Sequence, residues 1–387
     1  MSNLYLRPNY FFGKTAMHDA IKAIKNQKYT KALILYGGGS VKKNGSYNDL
    51  VYVLNLINLP FVEFSGIEPN PHCDTVDKCV EFARLAKIDV IFAIGGGSVI
   101  DASKVIGVLI NNPHYKDCWQ YCLDQSSATN DSVDIVSIIT LAGTASENNC
   151  GSVITNPELK EKKGGIFNVS ATPKIAIENP IYTYSVNKWQ TASGIFDCFS
   201  HLMEQYFGYK TFDWTKNYLF ANMKTLVKWA KIAVDEPNNY EARANVLWTT
   251  SMALNGIGSF ECETDWSVHT IEHAFSGLWD ITHGAGLAFV TPTYLILKGD
   301  EQSWFKQKVV EMGINVFNTN DFDSTINALL EFIKSIYLPT KWTEFKEITK
   351  FESEEINFLV QHANKFNKSI SSPVFIKKVI EELANLK

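Results

Sequence analysis

The sequence has very little arginine, since only Arg7, Arg84 and Arg243 occur among 36 basic residues. The planar arginine fork is the usual means of gripping a phosphate or carboxylate through two parallel hydrogen bonds. A doubly anionic substrate would have to depend on lysines and backbone amides, so the composition favours a neutral substrate. The formal net charge of -5 gives no electrostatic support for binding nucleic acid or an anionic membrane.

The chain also lacks the segments that direct a protein into or across a membrane. No run approaches the ~20 apolar residues that span a bilayer. The N-terminal stretch MSNLYLRPNYFFGKTAMHD has neither the apolar core nor the small-residue cleavage site of a signal peptide. The seven cysteines are odd in number and scattered, so we expect buried free thiols and no disulfide framework. These features predict a cytoplasmic protein.

Two patterns divide the 387 residues. In the first part, four short apolar runs are predicted strands, namely KALILY (31–36), DVIFAI (89–94), VDIVSIIT (133–140) and KIAI (174–177). Between the first two lies a segment with helical spacing, VDKCVEFARLA (76–86). This alternation predicts a parallel sheet with right-handed helical crossovers. Beyond about residue 185 the apolar residues recur only with helical spacing. We predict an α/β domain over residues 1–184 and an all-α domain over residues 185–387, because the chain is too long for one ordinary core.

Two of the predicted strands end in the same glycine turn, GGGS, at residues 37–40 and 95–98. Glycine lets the backbone turn tightly, and the helix behind the turn offers unpaired N–H groups to a phosphate. Neither turn fits the standard dinucleotide pattern G-x-G-x-x-G. One alternative is purely structural, with Ser98 as a helix N-cap and Asp101 completing a capping box. Two such turns in one alternating domain nevertheless favour a dinucleotide-binding site.

The residues after the first glycine turn bear on the choice of nucleotide. NAD-selective sites usually place a carboxylate on the ribose 2′-hydroxyl. No acid follows the first strand before Asp49, whereas Ser40, Lys42 and Lys43 come directly after the glycines. A hydroxyl and two ammonium groups suit an additional phosphate, so we predict NADP, with NAD as the alternative.

Three of the eight histidines fall within the fifteen residues HTIEHAFSGLWDITH, which end at His283. His269 and His273 are four residues apart and therefore share one helix face. Asp197 and His201 show the same spacing upstream. Each pair alone is commonly a surface or core feature, but together a carboxylate and several imidazoles suit one divalent Fe²⁺ or Zn²⁺ ion. Spacing alone does not decide which of the histidines are ligands.

These motifs resemble the iron-containing (group III) alcohol dehydrogenases, in particular the butanol dehydrogenase and broad-aldehyde reductase branch. The resemblance runs through YGGGSVKKNG (36–45), EPNP (68–71), AIGGGSVIDASKVI (93–106), TLAGTASENN (140–149), DCFSHLMEQY (197–206) and DWSVHTIEHAFSGLWDITHGAGLA (265–288). It implies an α/β dinucleotide-binding domain followed by an all-α metal-binding and catalytic domain. It also implies a homodimer that interconverts small aliphatic aldehydes and primary alcohols with NAD(P)(H).

The resemblance further implies individual roles. It makes Asp197, His201, His269 and His283 the metal ligands and places His273 beside the substrate and the nicotinamide, where we expect it to relay a proton. The implied cofactor contacts are Gly38, Gly39 and Ser40 at the adenosine 2′ end, Gly95, Gly96, Gly97 and Ser98 at the pyrophosphate, and Thr140, Thr144, Asn149, Lys162 and Tyr182 elsewhere.

The chain departs from the family at the T-L-P-x-T-G-S-E motif, which reads TLAGTASE with Ala142 for proline and Ala145 for glycine. Ala145 adds a methyl group to a loop expected to approach the nicotinamide. Three alternative functions remain at this point. They are a polyol dehydrogenase of the same fold, a dehydroquinate-synthase-like lyase, which the scarcity of arginine disfavours, and a non-catalytic metal- and nucleotide-binding sensor.

Overall fold

Six short, mostly apolar segments of the first part of the chain form one parallel sheet with the strand order β1-β8-β5-β4-β2-β3. The structure is a computed structural model that describes Leu4, Leu6 and residues 8–367 and 369–387. A separate antiparallel hairpin consists of β6 and β7. The strands are Asn9–Phe12 (β1), Ala32–Tyr36 (β2), Phe61–Ser65 (β3), Val90–Gly95 (β4), Asp134–Ile139 (β5), Gly151–Asn156 (β6), Glu161–Phe167 (β7) and Ile175–Glu178 (β8).

The chain forms two units. The sheet unit contains the N-terminal stretch that ends at Val186 and also Pro237–Ser251, and the helical unit contains Asn187–Glu236 and Met252–Lys387. Apolar side chains cover both faces of the parallel sheet, as expected where helices pack on each side. The helices that belong to the sheet unit are Ala16–Asp19 (α1), Ile21–Asn26 (α2), Ser40–Lys43 (α3), Ser46–Leu56 (α4), Cys73–Ala86 (α5), Gly97–Asn111 (α6), Cys118–Leu123 (α7) and most of Tyr240–Ala253 (α10).

The helical unit has no strand among its described residues. Its helix α8 is buried on all sides from Thr191 to Tyr206, whereas α14 buries one stripe that includes Phe322, Ile326 and Leu329. No described helix combines the length and apolar character that a bilayer crossing requires. The helices are Lys188–Tyr206 (α8), Asp213–Asp235 (α9), Ser267–Trp279 (α11), His283–Glu301 (α12), Ser303–Met312 (α13), Phe322–Ser335 (α14), Ser353–Lys365 (α15) and Pro373–Asn385 (α16).

The predicted fold class is confirmed, since a parallel α/β sheet precedes a helical part. The four strands expected from apolar runs are β2, β4, β5 and β8. The sequence did not indicate β1, β3 or the hairpin, because these segments are short or partly exposed and carry polar residues such as Glu63 and Lys163. The division between residues 184 and 185 stays a prediction; the sheet unit also takes in Pro237–Ser251.

Candidate metal centre

Helix α8 brings a carboxylate and an imidazole together inside the helical unit. The helix starts at Asn187, whose side chain accepts a hydrogen bond from the backbone N–H of Gln190. Ten and fourteen residues further on, Asp197 and His201 are both buried. The distance from Asp197 Oδ1 to His201 Nε2 is 3.4 Å. One helix face therefore supplies an oxygen and a nitrogen donor to the same point.

Two further imidazoles reach the same carboxylate oxygen. His269 lies in the first turn of α11, and its Nε2 is 3.7 Å from Asp197 Oδ1. His283 is the first residue of α12, and its Nε2 is 3.6 Å from that oxygen. The next residue, Gly284, permits this approach, since a Cβ there would lie 1.9 Å from the carbonyl oxygen of Ser193 in α8.

These distances match those expected around one ion. Ligand atoms about 2.1 Å from a tetrahedral metal lie about 3.4 Å from one another. The three imidazole Nε2 atoms lie 3.4, 3.7 and 3.6 Å from Asp197 Oδ1. Donor atoms of Asp197, His269 and His283 all lie within 4.8 Å of one another, and His201 stands beside the carboxylate just outside that set.

The hydrogen bonding of the cluster also fits a metal. Asp197 Oδ1 and His269 Nε2 are buried and have no hydrogen-bond partner in the described part of the chain. Leaving such atoms without a partner is costly, so their convergence calls for a bound group. One carboxylate with several imidazoles is a donor set that suits Fe²⁺ or Zn²⁺. The residues therefore fit the divalent ion that the sequence predicts.

Electrostatics tie these side chains to one another. Burial alone would raise the pKa of Asp197, but the neighbouring imidazoles outweigh it and hold that pKa well below its usual range. Burial lowers the pKa of His201 to about 3. Burial acts the same way on His269, but Glu204 and Asp197 overcome it and raise its pKa to about 10. A metal ion binding there would displace any proton held on these nitrogens.

Two buried glutamates that the sequence did not single out orient the imidazoles. Glu204 of α8 accepts a hydrogen bond from His269 Nδ1 and from the backbone N–H of Val268. Glu272 of α11 accepts a hydrogen bond from His283 Nδ1. Each bond fixes the tautomer and turns Nε2 toward Asp197. Glu204 follows Asp197 by two helical turns, so the sequence could have indicated that the two carboxylates share one helix face.

We expect Glu272→Gln and Glu204→Gln each to weaken metal affinity by about 10- to 100-fold, because an amide holds the imidazole less firmly. Metal content after dialysis against graded chelator concentrations measures this effect. Glu355→Gln is the matched control, since Glu355 is a buried glutamate of α15 in the same unit. Retention of metal equal to that of the control would contradict the orienting role.

His273 lies one helical turn beyond His269 and is partly exposed. Its ring centroid is 6.2 Å from that of His269 and 5.3 Å from that of His283. Glu272, His273 and His283 form a second set whose donor atoms lie within 4.8 Å of one another. Glu272 already accepts hydrogen bonds from His283 and Ser276, so this set is less suited to an ion than the set around Asp197.

The two glycine turns of the sheet unit have different surroundings. Gly97 begins α6, and a Cβ there would lie 2.2 Å from Thr144 Oγ1, so this turn packs against the loop after β5. Gly38 and Gly39 are exposed and meet no atom within 4 Å of an added Cβ. The backbone of the first turn is therefore open, as a ligand contact requires.

The capping box that would explain the second turn without a ligand is absent. The N-cap of α6 is Gly96, with no side-chain cap, so Ser98 lies inside the first turn. The Asp101 carboxylate instead accepts hydrogen bonds from Ser146 Oγ and from the backbone N–H of Val153 at 2.9 Å. Helix α6 is thereby joined to the loop that follows β5.

Buried Lys104 strengthens this connection. Its ammonium group donates to Ser146 Oγ at 2.7 Å, to the Gly151 carbonyl at 2.6 Å and to Asn149 Oδ1 at 3.1 Å. In the same loop Ala145 has φ 51°, a left-handed conformation that glycine adopts more easily. The alanine thus costs some backbone strain, and its side chain is buried.

Of the remaining predicted cofactor residues, Thr140 contacts the second glycine turn and Tyr182 contacts residues just after the first. Thr140 follows β5, and its N–H donates to the Gly95 carbonyl at 2.9 Å. Tyr182 is buried, with its hydroxyl donating to Asp49 at 2.6 Å and its carbonyl accepting from Asn44, just after the first turn. Lys162 Nζ donates to Asn70 Oδ1 at 2.9 Å. Lys162 and Asn149 therefore already bond protein groups, whereas Gly38 to Ser40 are exposed.

Comparison with known proteins agrees with this arrangement. Residues 8–180 match the family model "Iron-containing alcohol dehydrogenase" and residues 191–384 match "Fe-containing alcohol dehydrogenase family, C-terminal". The chain is 39% identical over 347 residues to NADH-dependent butanol dehydrogenase A of Clostridium acetobutylicum, covering 86% of each chain. It is 31% identical to the NADPH-dependent aldehyde reductase YqhD of Escherichia coli, covering 89% of this chain and 88% of that one.

A solved structure gives the same result for the fold. The NADH-dependent butanol dehydrogenase A of Thermotoga maritima superimposes with a TM-score of 0.91 at 27% identity, covering 99% of this chain and 98% of that one. Similarity of this extent over both parts of the chain identifies the family and the reaction class, an NAD(P)-dependent alcohol and aldehyde oxidoreductase. The chain belongs to the iron-containing alcohol dehydrogenase family.

Proposed function

We propose that this oxidoreductase reduces small aliphatic aldehydes to primary alcohols with NADP(H), using a divalent metal held by Asp197, His201, His269 and His283. The observation that carries the proposal is the convergence of three imidazole Nε2 atoms on one Asp197 oxygen at 3.4 to 3.7 Å. The relatives named above include butanol dehydrogenases and an aldehyde reductase, which supports a small, neutral carbonyl substrate.

Each residue of the cluster contributes a distinct part of the chemistry. A divalent ion bound there would supply Lewis acidity toward the oxygen of the substrate, and the nicotinamide would supply or accept the hydride. Asp197 contributes one negative charge, while Glu204 and Glu272 hold their histidines in the ligating orientation. His273 gives a proton to the product oxygen in reduction and takes it in oxidation, because imidazole is both acid and base near neutral pH.

The preference for NADP rests on the surroundings of the first glycine turn. The ammonium group of Lys42 lies over the ring of Tyr47, 4.7 Å from its centroid, and 3.9 Å from a carboxylate oxygen of Glu63. Glu63 also accepts hydrogen bonds from the hydroxyls of Tyr36 and Tyr47, which stabilise the negative charge of its carboxylate. Ser40 and Lys42 thus remain the polar groups nearest the exposed glycines in sequence, and they suit a 2′-phosphate.

We expect the purified, metal-loaded chain to oxidise NADPH when butanal is added and to show a higher kcat/KM with NADPH than with NADH. A panel of aldehydes assayed with each nucleotide measures both preferences. Lys42→Gln should narrow the difference in kcat/KM between the two nucleotides. The control is Lys87→Gln, an exposed lysine directly after α5 that is not part of the first turn. Equal use of both nucleotides, or a preference for NADH, would contradict the NADP proposal.

The competing functions make different predictions in the same assay. A polyol dehydrogenase would oxidise a diol or glycerol in preference to butanol, and a sensor would bind the nucleotide with no turnover of any aldehyde. The position of His273 beside the cluster favours the enzyme, because a sensor needs no proton relay. The choice between Fe²⁺ and Zn²⁺, the homodimer and the cytoplasmic location stay predictions.

A further inference from the structure

Three elements of the sheet unit bring buried oxygen atoms together away from the predicted metal cluster. Glu178 ends strand β8 and is completely buried, and neither of its carboxylate oxygens has a hydrogen-bond partner among the described residues. Glu147, in the short turn of residues 146–148, is also buried and interacts electrostatically with Glu178. Ser251 of α10 lies beside both carboxylates.

Hydrogen bonds of Asn148 connect the turn to α10. Its amide nitrogen donates to Glu147 Oε1 at 2.8 Å and to the backbone carbonyl of Ser251. Its side-chain oxygen is buried without a partner in the described structure, and so is the hydroxyl of Ser251. Together with the two oxygens of Glu178, four buried oxygen atoms of this cluster lack a hydrogen-bond partner of ordinary geometry among the described residues. The Ser251 hydroxyl lies close enough to stabilise both carboxylates, but it has only one proton to donate.

The charges in this region are also out of balance. Asp101, Glu147 and Glu178 are carboxylates within electrostatic reach of one another or of Lys104. Lys104 acts on Asp101 and Glu147, and Lys162 also acts on Asp101, but no ammonium group of the described residues acts on Glu178. Lys104 donates its hydrogen bonds to the Ser146–Gly151 segment. Buried carboxylates without a compensating positive charge are costly, so additional positive charge is expected here.

We propose that Glu147, Asn148, Glu178 and Ser251 form a second cation site, which takes one hard cation such as Na⁺, K⁺, Mg²⁺ or Ca²⁺. The donors are all oxygen, which hard cations prefer, whereas the imidazole cluster suits Fe²⁺ or Zn²⁺. The alternative is one proton shared between two carboxylate oxygens, which would leave the other oxygens without a partner. A cation such as Ca²⁺ instead binds about six to eight oxygen ligands. The ion joins β8, the 146–148 turn and α10, and thereby braces the loop that carries Asn149.

The test is thermal unfolding of the full chain after chelation and exchange into a choline buffer at pH 8. Each chloride salt is added separately, with choline chloride at equal ionic strength as the control. We expect at least one cation to raise the Tm by about 3 °C or more at saturation, because a ligand that binds only the folded state stabilises it. Glu178→Gln should lose this response, and Ser251→Ala should reduce it.

The wild type and Glu178→Gln both keep the imidazole cluster, so the difference between their cation-induced changes in Tm reports on the second site alone. Equal responses of the two would overturn the proposal. A shared proton predicts no specific cation response. Burial, and then the charge of Glu147, raise the pKa of Glu178. If a shared proton stabilises the cluster, the wild type would therefore lose stability as the pH rises, whereas Glu178→Gln would not. That result would also overturn the proposed cation site. If Glu178→Gln does not fold, Ser251→Ala and Glu178→Leu decide the same comparison.

Discussion

Replacing His269 with alanine is expected to leave the chain without bound metal and without measurable turnover. The imidazole Nε2 of His269 lies 3.7 Å from Asp197 Oδ1, and Glu204 accepts a hydrogen bond from its Nδ1. The substitution would therefore remove one of the four ligands that we propose and leave Glu204 without the group that it orients. Loss of Lewis-acid assistance amounts to several kcal/mol of transition-state stabilisation, or about a thousandfold in kcat. Metal content and kcat measured on the same preparation test both parts.

The matched control for that substitution is His362→Ala. His362 is another buried histidine of the helical unit, and its ring lies against Phe358 and Phe366 in α15 and the residues that follow. Its replacement removes a similar volume without touching the Asp197 cluster. Full metal content and activity in the His269 variant, or equal losses in both variants, would contradict the assignment of His269 as a ligand.

Replacing His273 with alanine is expected to lower kcat by about 100- to 10,000-fold while metal content stays near that of the wild type. The reason is that His273 lies beside His283 and His269 but outside the set of donors around Asp197. The pH dependence of kcat should also change, because the group that exchanges the proton near neutral pH is gone.

His273→Asn separates the loss of the proton relay from the loss of volume. An asparagine fills part of the space and forms hydrogen bonds but does not titrate, so it should restore stability without restoring kcat. A variant that loses metal together with activity would show that His273 is a ligand, and one that keeps the wild-type kcat and pH profile would remove it from the mechanism.

The sequence predicted the strands that lead to the glycine turns, because β2 and β4 are short apolar runs followed by glycine. It also predicted that Asp197 and His201 share a helix face, which follows from a spacing of four residues. The distances between α8, α11 and α12 could not be predicted, since they depend on tertiary packing such as the contact of Gly284 with Ser193.

The orienting glutamates show where sequence reasoning stops. A glutamate in a helix is most often a solvent-exposed residue, so Glu272 carried no signal of its own, and the only signal for Glu204 was the helix face that it shares with Asp197. Only the folded chain shows that each is buried against the Nδ1 atom of a histidine. Glu178 is similar, because a polar residue at the end of a strand is usually exposed, yet here it is enclosed.

The bare backbone at Gly284 has a consequence for how this chain can vary. A methyl group there would collide with the Ser193 carbonyl, so α12 would have to retreat from α8 and carry His283 away from Asp197. A substitution as mild as glycine to alanine, at a residue outside the proposed ligand set, would therefore leave the four proposed ligands intact but too far apart to bind one ion.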